Sequence, residues 1–388
     1  MIFFKKSFVF SILSLAPIII SISFSFAEER AKQARSFELK GYYKSLLTVS
    51  ETTDKEGFTG DLNRLRLELE ITPVENVRAV IAYDNEVILG DVLDTKEFKD
   101  LKDFRENTYF DLSTISLDDG GAFWRHSIYR MHISYARGPS DITIGRQRVA
   151  LGAGRIWNPE DLLNPVSPLQ IERDERAGVD AVSFDFSTGP VSGVSLVYAP
   201  GRTSAGESFL IRERANFSGY DISGMLANFR RDKVLGLDFS GYIKGSGLRG
   251  EFTYTAADER ADFFRGVLSL DHTFPSSLYI LIEYLYNGGN IKTLDDPVVA
   301  ASASSEITTK NNNFIGAGAG YDITPLLRLD GLAVFDLDDK SGFLSPSLRY
   351  NILEDLDLSA GIQLFTGKAM SEYGGASDLY YAELKLYF

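Results

Sequence analysis

Apolar and polar residues alternate strictly over long reaches of this chain. Phe37, Leu39, Gly41, Tyr43, Leu47 and Val49 alternate with Glu38, Lys40, Tyr42, Lys44 and Thr48. Leu65, Leu67, Leu69 and Ile71 alternate with Arg64, Arg66, Glu68, Glu70 and Thr72. A period of two predicts strands with one apolar and one polar face. A sandwich strand turns its polar face to bulk water and can look this way once or twice. Here the pattern returns down the whole chain in segments of about ten residues, the dyad signature of a transmembrane barrel, apolar toward lipid and polar toward the lumen. The expected fold is all-β: an antiparallel up-and-down transmembrane β-barrel.

The connections sort into two lengths. Short turns fall at 73–76, 137–140, 187–190, 218–219, 245–247, 275–277, 324–326 and 352–355, and longer segments at 51–61, 88–126, 152–175, 200–206, 230–233, 257–261, 288–313, 338–341 and 367–377. Short periplasmic turns opposite longer outer loops are the asymmetry of such barrels. Together they predict about eighteen strands with both ends on the periplasmic side. Sixteen stays open, because 209–217, with Glu213 on the apolar parity, and 220–229 alternate least clearly. The Ile142, Ile144, Arg146 and Arg148 parity predicts a bulge near Gly145 that exchanges the faces.

The N-terminus reads differently. Lys5 and Lys6 precede an apolar run from Phe8 to Phe24, and Ser25-Phe26-Ala27 is a small-x-small site. Residues 1–27 are therefore expected to be a secretory signal peptide, leaving a single barrel domain over 28–388. The chain has no Cys, so neither a disulfide framework nor a lipid-bearing Cys follows the leader. Phe (27), Tyr (19) and Gly (34) are abundant, which a barrel accommodates as aromatic girdles and tight wall packing. Net charge is −14, and removing Lys5 and Lys6 with the leader makes it −16, which gives no basis for a nucleic-acid partner. Assigned by parity, the lumen holds sixteen basic and sixteen acidic side chains. Base prevails in the first eight strands and acid in the last ten.

Candidate catalytic chemistry is thin. His126, His132 and His272 carry no accompanying motif, and no His or Cys spacing suits a metal, so neither a catalytic residue nor a cofactor is expected. Gly316-Ala317-Gly318-Ala319-Gly320 lacks the strand–helix context of a nucleotide loop. As a strand it turns its glycines inward. In the second long loop Asp91, Asp94, Glu97, Asp100, Asp103 and Glu106 recur at helical spacing, which predicts a short amphipathic helix. Carboxylates at an outer rim could share divalent cations with lipopolysaccharide phosphates.

The closing alternation of Tyr380, Ala382, Leu384, Leu386 and Phe388 with Tyr381, Glu383, Lys385 and Tyr387 resembles the last strand of Gram-negative outer-membrane barrels. The resemblance to porin-type barrels covers residues 28–388. It implies outer-membrane lipid and lipopolysaccharide around the wall, and a terminal Phe388 read by the barrel assembly machinery. Gly145-Arg146-Gln147, Gly152, Gly154 and Trp157-Asn158-Pro159 resemble a segment of porin-like proteins without a settled substrate. It leaves oligomeric state open.

The stretch 141–186 carries the functional expectation. Two strand patterns flank about two dozen residues with Trp157, Pro159, Pro165 and Pro168, too Pro-rich for helix or strand. By count this is the third outer loop, which the porin resemblance implies folds into the lumen, a loop lying outside over the rim being the rival. Its acids Glu160, Asp161, Glu172, Asp174 and Glu175 are expected to face Arg64, Arg66, Arg130, Arg146 and Arg148 on the wall, with Trp157 stiffening the loop. These residues would line a constriction, and small hydrophilic solutes would pass by diffusion. The alternatives are an outlet barrel for an acidic secreted polysaccharide, which calls for a net-basic lumen, and an outer-membrane enzyme, which calls for a working His.

Overall fold

The computed structural model describes residues 36–52, 56–102, 108–164, 167–172, 178–203, 206–291 and 307–388. The expected leader at 1–27 lies outside them, as do Asp103, Glu106, Pro165, Asp174 and Glu175. Among the described residues nineteen strands form one antiparallel sheet. The first eight are β1 (Ser36–Glu51), β2 (Gly57–Val74), β3 (Val77–Leu89), β4 (Ser113–Asp118), β5 (Ala122–Arg137), β6 (Ser140–Gln147), β7 (Val179–Ser187) and β8 (Gly193–Ala199). Next come β9 (Ser208–Phe217), β10 (Tyr220–Phe229), β11 (Asp232–Ile243), β12 (Ser246–Ala256), β13 (Phe263–Thr273) and β14 (Tyr279–Asn287). The chain ends with β15 (Asn313–Thr324), β16 (Leu327–Asp336), β17 (Gly342–Leu353), β18 (Leu356–Thr366) and β19 (Leu379–Tyr387).

Eighteen of them close an up-and-down barrel, each pairing with its neighbours and β1 with both β2 and β19. β4 is extra. It pairs with the outer half of β5, Ser113 opposite Ser127, while β6 pairs with the inner half from Met131 to Arg137. β4 thus continues the wall where β6 stops.

The alternation sets the faces. Phe37, Leu39, Ile133, Leu235, Leu237, Leu268, Ile280 and Ile282 are exposed on the outside, while Lys44, Arg66, Asp84, Glu86, Asp238, Glu251, Arg265 and Glu283 are buried inside. Lipid suits the first set, and the second needs water or partners. Turns are tight on the periplasmic side. Ser218-Gly219 and Lys244-Gly245 take positive φ at both positions, the two-residue hairpin geometry that matches strand twist. A wall of this kind belongs in an outer membrane.

Two expectations are corrected. The bulge lies on β5: Ala82 faces Arg130 and Tyr83 faces Ile128, so Tyr129 is the extra residue. Gly145 instead keeps register with both neighbours and turns the backbone by a φ of 121°. β5 begins at Ala122, so His126 is a wall residue rather than part of the second loop. It stacks on Tyr83, with Trp124 tilted beside it. The predicted helix exists as α1 (Lys96–Lys102), with Thr95 Oγ1 accepting the Phe98 N–H as its N-cap. Phe98 then packs edge-on against inward-facing Phe123.

The seam closes on the last residue. The Phe388 N–H donates to the Gly41 carbonyl and the Gly41 N–H to the Phe388 carbonyl, at 3.1 and 2.9 Å. A Cβ at Gly41 would meet the Phe388 ring at 2.9 Å. Deleting Phe388 removes two seam hydrogen bonds, and is expected to lower the yield of heat-modifiable barrel in membrane fractions without changing synthesis.

Candidate functional site

The segment between β6 and β7, described over 148–164, 167–172 and 178, follows the end of β6. Its hydrogen bonds trace a path across the inside of the barrel. Glu251 on β12 accepts the N–H groups of Ala153 and Gly154, both at 2.8 Å, and of Glu160. Glu283 on β14 accepts those of Arg155, Ile156 and Trp157 at 2.8–2.9 Å. Further on, Gln363 on β18 donates to the Leu169 carbonyl at 2.9 Å. Glu172 then meets Arg64 on β2 at 2.8 Å and Lys44 on β1. Six consecutive or near-consecutive amides on two buried carboxylates give a docking that solvent competes with poorly, since charge-assisted bonds strengthen away from water.

Packing follows the same path. Val149, Leu151 and Leu162 join Val179, Ala181, Val197, Leu210, Met225 and Val234 in one buried cluster. Ile156 and Trp157 join Val267, Leu281, Leu285, Phe314, Val334 and Phe343 in a second. These wall residues point inward, so the lumen is apolar where the loop rests on it. Two glycines open sockets. A Cβ at Gly316 would stand 2.5 Å from Ile156 Cδ1, and one at Gly236 would stand 2.5 Å from Glu160 Oε1.

The sequence-derived site residues separate into groups. Arg64 and Arg66 line the wall but are neutralised by Glu86 and Asp84, Arg66 in a bidentate fork with both bonds at 2.5 Å. Arg66 also lies flat on the Tyr129 ring at 3.6 Å, which Arg130 shares at 4.6 Å. Arg146 is corrected. It is buried, forks onto Asp180 at 2.9 and 3.0 Å, and donates to the carbonyls of Ile128 and Phe110. That bundle seals the junction where β4 and β6 share β5, and offers no charge to open water.

Arg148 is exposed and among the described residues has no ion-pair partner. Trp157 is 2% exposed and packs near Phe314. The Asp161 Oδ1 accepts the Asn164 N–H at 3.0 Å inside the loop. Glu160 is 0% exposed and lies beside two acids, Asp238 and Glu251, with Arg212, and burial, then the nearby Asp238 carboxylate, push its pKa up to about 10.

Beneath the loop lies a cavity of about 710 Å³, floored by the β7–β8 turn. Arg148 and Arg155 from the loop, Arg212 and Arg214 from β9 and Arg249 from β12 line it, against Asp221 and Asp238. Arg212 is held by Asp238 at 2.7 Å and Arg249 by Asp271. Arg148, Arg155 and Arg214 have no carboxylate partner among the described residues. Arg155, Arg214, Glu251 and Glu283 are the positions at this site that sequence reasoning did not single out. For the three on strands the signal was inward charge beside inward apolar residues.

The histidines form no catalytic set among the described residues. His132 meets only the Arg146 carbonyl at 3.3 Å. His272 meets Ser246 at 3.1 Å on the outer face at the periplasmic end, with Phe274 edge-on to it.

The fold has solved counterparts. OccAB2 of Acinetobacter baumannii superposes with a TM-score of 0.56 at 9% identity, covering 91% of this chain and 98% of its own. OprD of Pseudomonas aeruginosa superposes at 0.55 and 11%, covering 91% and 94%, and OccK8 (OprE) of the same organism at 0.54 and 10%, covering 91% and 98%. This is the fold of outer-membrane porins. No family model and no curated protein sequence matches the chain.

The docking geometry has a direct consequence. Glu283→Ala leaves three loop amides without an acceptor, at about 1–3 kcal/mol each where they stay buried. Protease cleavage within 148–178 is expected to rise at least tenfold in that variant while the wall strands stay resistant.

Proposed function

We propose that the protein is a passive channel for small hydrophilic solutes, with segment 148–178 as its constriction. The observation that carries the reading is the anchoring of one irregular segment to β12, β14, β18, β1 and β2, strands spread around the wall. A chain so held divides the bore and leaves solutes to pass beside it. The porin fold of the barrel supports the transport class, and the wet, charge-lined cavity below the loop supports hydrophilic cargo.

Selection is by width and charge. Arginine stays protonated at any working pH. Arg148, Arg155 and Arg214 therefore present lasting positive charge to solutes below the loop, and anions are favoured there. The secreted-polysaccharide outlet is weaker, because a strap anchored at so many points obstructs a polymer. The enzyme reading has no His joined to both a nucleophile and an acid among the described residues to build on.

Two measurements test this. Deleting residues 153–170 should raise single-channel conductance several-fold in a properly folded barrel, and unchanged conductance would remove the constriction. Replacing Arg148 and Arg214 together by Ser should shift reversal potentials toward cations, whereas Arg146→Ser, whose charge Asp180 already cancels, should destabilise the barrel without that shift.

A further inference from the structure

Glu160 is the odd member of the docked loop. Its carboxylate is fully buried, and neither oxygen has a hydrogen-bond donor. β11 presents Gly236, whose missing Cβ makes room for Oε1, and Asp238. β12 presents Glu251, already engaged by the Glu160 N–H. β10 presents Met225, which is uncharged. β9 presents the one cation beside it among the described residues, Arg212, whose Nη2 donates to Asp238 while its Nε donates to nothing. On the loop itself, Asp161 is occupied with the Asn164 amide. An ionised Glu160 would be a third carboxylate beside two others, buried and without a donor, against a single guanidinium already committed. Unpaired buried charge of that kind is relieved by protonation.

We propose that the loop docks with Glu160 as the neutral acid, so that seating 148–164 in the lumen takes up one proton and makes this stretch a pH-dependent latch. The effect on current rests on the reading of this segment as the constriction, whereas the latch itself does not. The sign follows from linkage. In the undocked loop a glutamate ionises near a pKa of about 4.3, while in the docked loop the proton is held up to about 10. Docking is tightest below the lower value and loosens by about tenfold for each pH unit between the two. Acid closes the strap on the wall, and alkali frees it.

The chain has no native Cys, so Ile156→Cys places a single thiol at a buried loop position. Its alkylation rate in the folded barrel, divided by that of a short peptide of the same sequence, reads the undocked fraction. Between pH 6 and 8 that ratio should rise about tenfold per unit. In the Glu160→Gln background it should stay flat, because the amide cannot ionise. Asp238→Asn, which removes the facing charge and frees Arg212 for Glu160, should flatten it as well, and serves if Glu160→Gln folds poorly. A ratio in the parent that changes less than twofold over this range, or rises equally in both variants, overturns the proposal. In planar bilayers the dwell in a wider conductance state should rise with the same slope. A pH-dependent ratio with unchanged conductance levels keeps the latch and removes the constriction.

Discussion

An irregular segment inside a membrane barrel must find acceptors for its own amides, because a buried N–H without one costs as much as a lost hydrogen bond. Glu251 and Glu283 meet that need for six amides of the third outer loop. Much else in the lumen follows from it. The carboxylates are buried because the loop covers them. The loop can cover them because Gly236 and Gly316 leave room, and because the wall around them is apolar. Loop and wall are one core, divided between a strap and the strands it rests on.

This core gives the lumen two characters. Where the loop lies, the interior is dry and packed, with Trp157 against β15 and Leu162 within the β7–β11 sector. Below it the interior is open and basic, with three arginines that no carboxylate among the described residues neutralises. On the opposite wall the arginines are neutralised: Arg64, Arg66 and Arg125 interlock with Glu86 and Asp84, and Glu172 ties the returning loop to them. The wall charges that meet the returning loop thus stabilise structure, and the arginines without a carboxylate partner among the described residues face the cavity.

The wall was legible in the sequence because the side-chain period of a strand is local. Phe37 to Val49 and Tyr380 to Phe388 announce their faces without reference to any partner, and Ser218-Gly219 announces its turn. Even the weakly patterned 209–217 and 220–229 prove to be strands. The site was less legible, because it depends on which inward residues the loop reaches. Glu251 and Glu283 looked like ordinary lumen acids. Leu281, Leu285 and Phe314 sit at polar parity and blurred the alternation, though that blur was itself the imprint of the loop. Arg146 kept the outward parity of Ile142 and Ile144 and invited a bulge. The structure instead buries it against Asp180, a partner 34 positions away that no local pattern reveals.

The third outer loop resides inside the barrel, seated on β15 by Ile156. A cysteine pair tests it most directly in a chain that has none of its own. The Ile156 side chain ends 2.5 Å from where a Gly316 Cβ would stand, so Ile156→Cys with Gly316→Cys should form a disulfide in the folded barrel under mild oxidation. The bond should leave single-channel current at neutral pH unchanged, because it fixes the loop where it already lies. Two free thiols in a correctly folded barrel, both labelled at once by a reagent added from the outer side, would contradict the account.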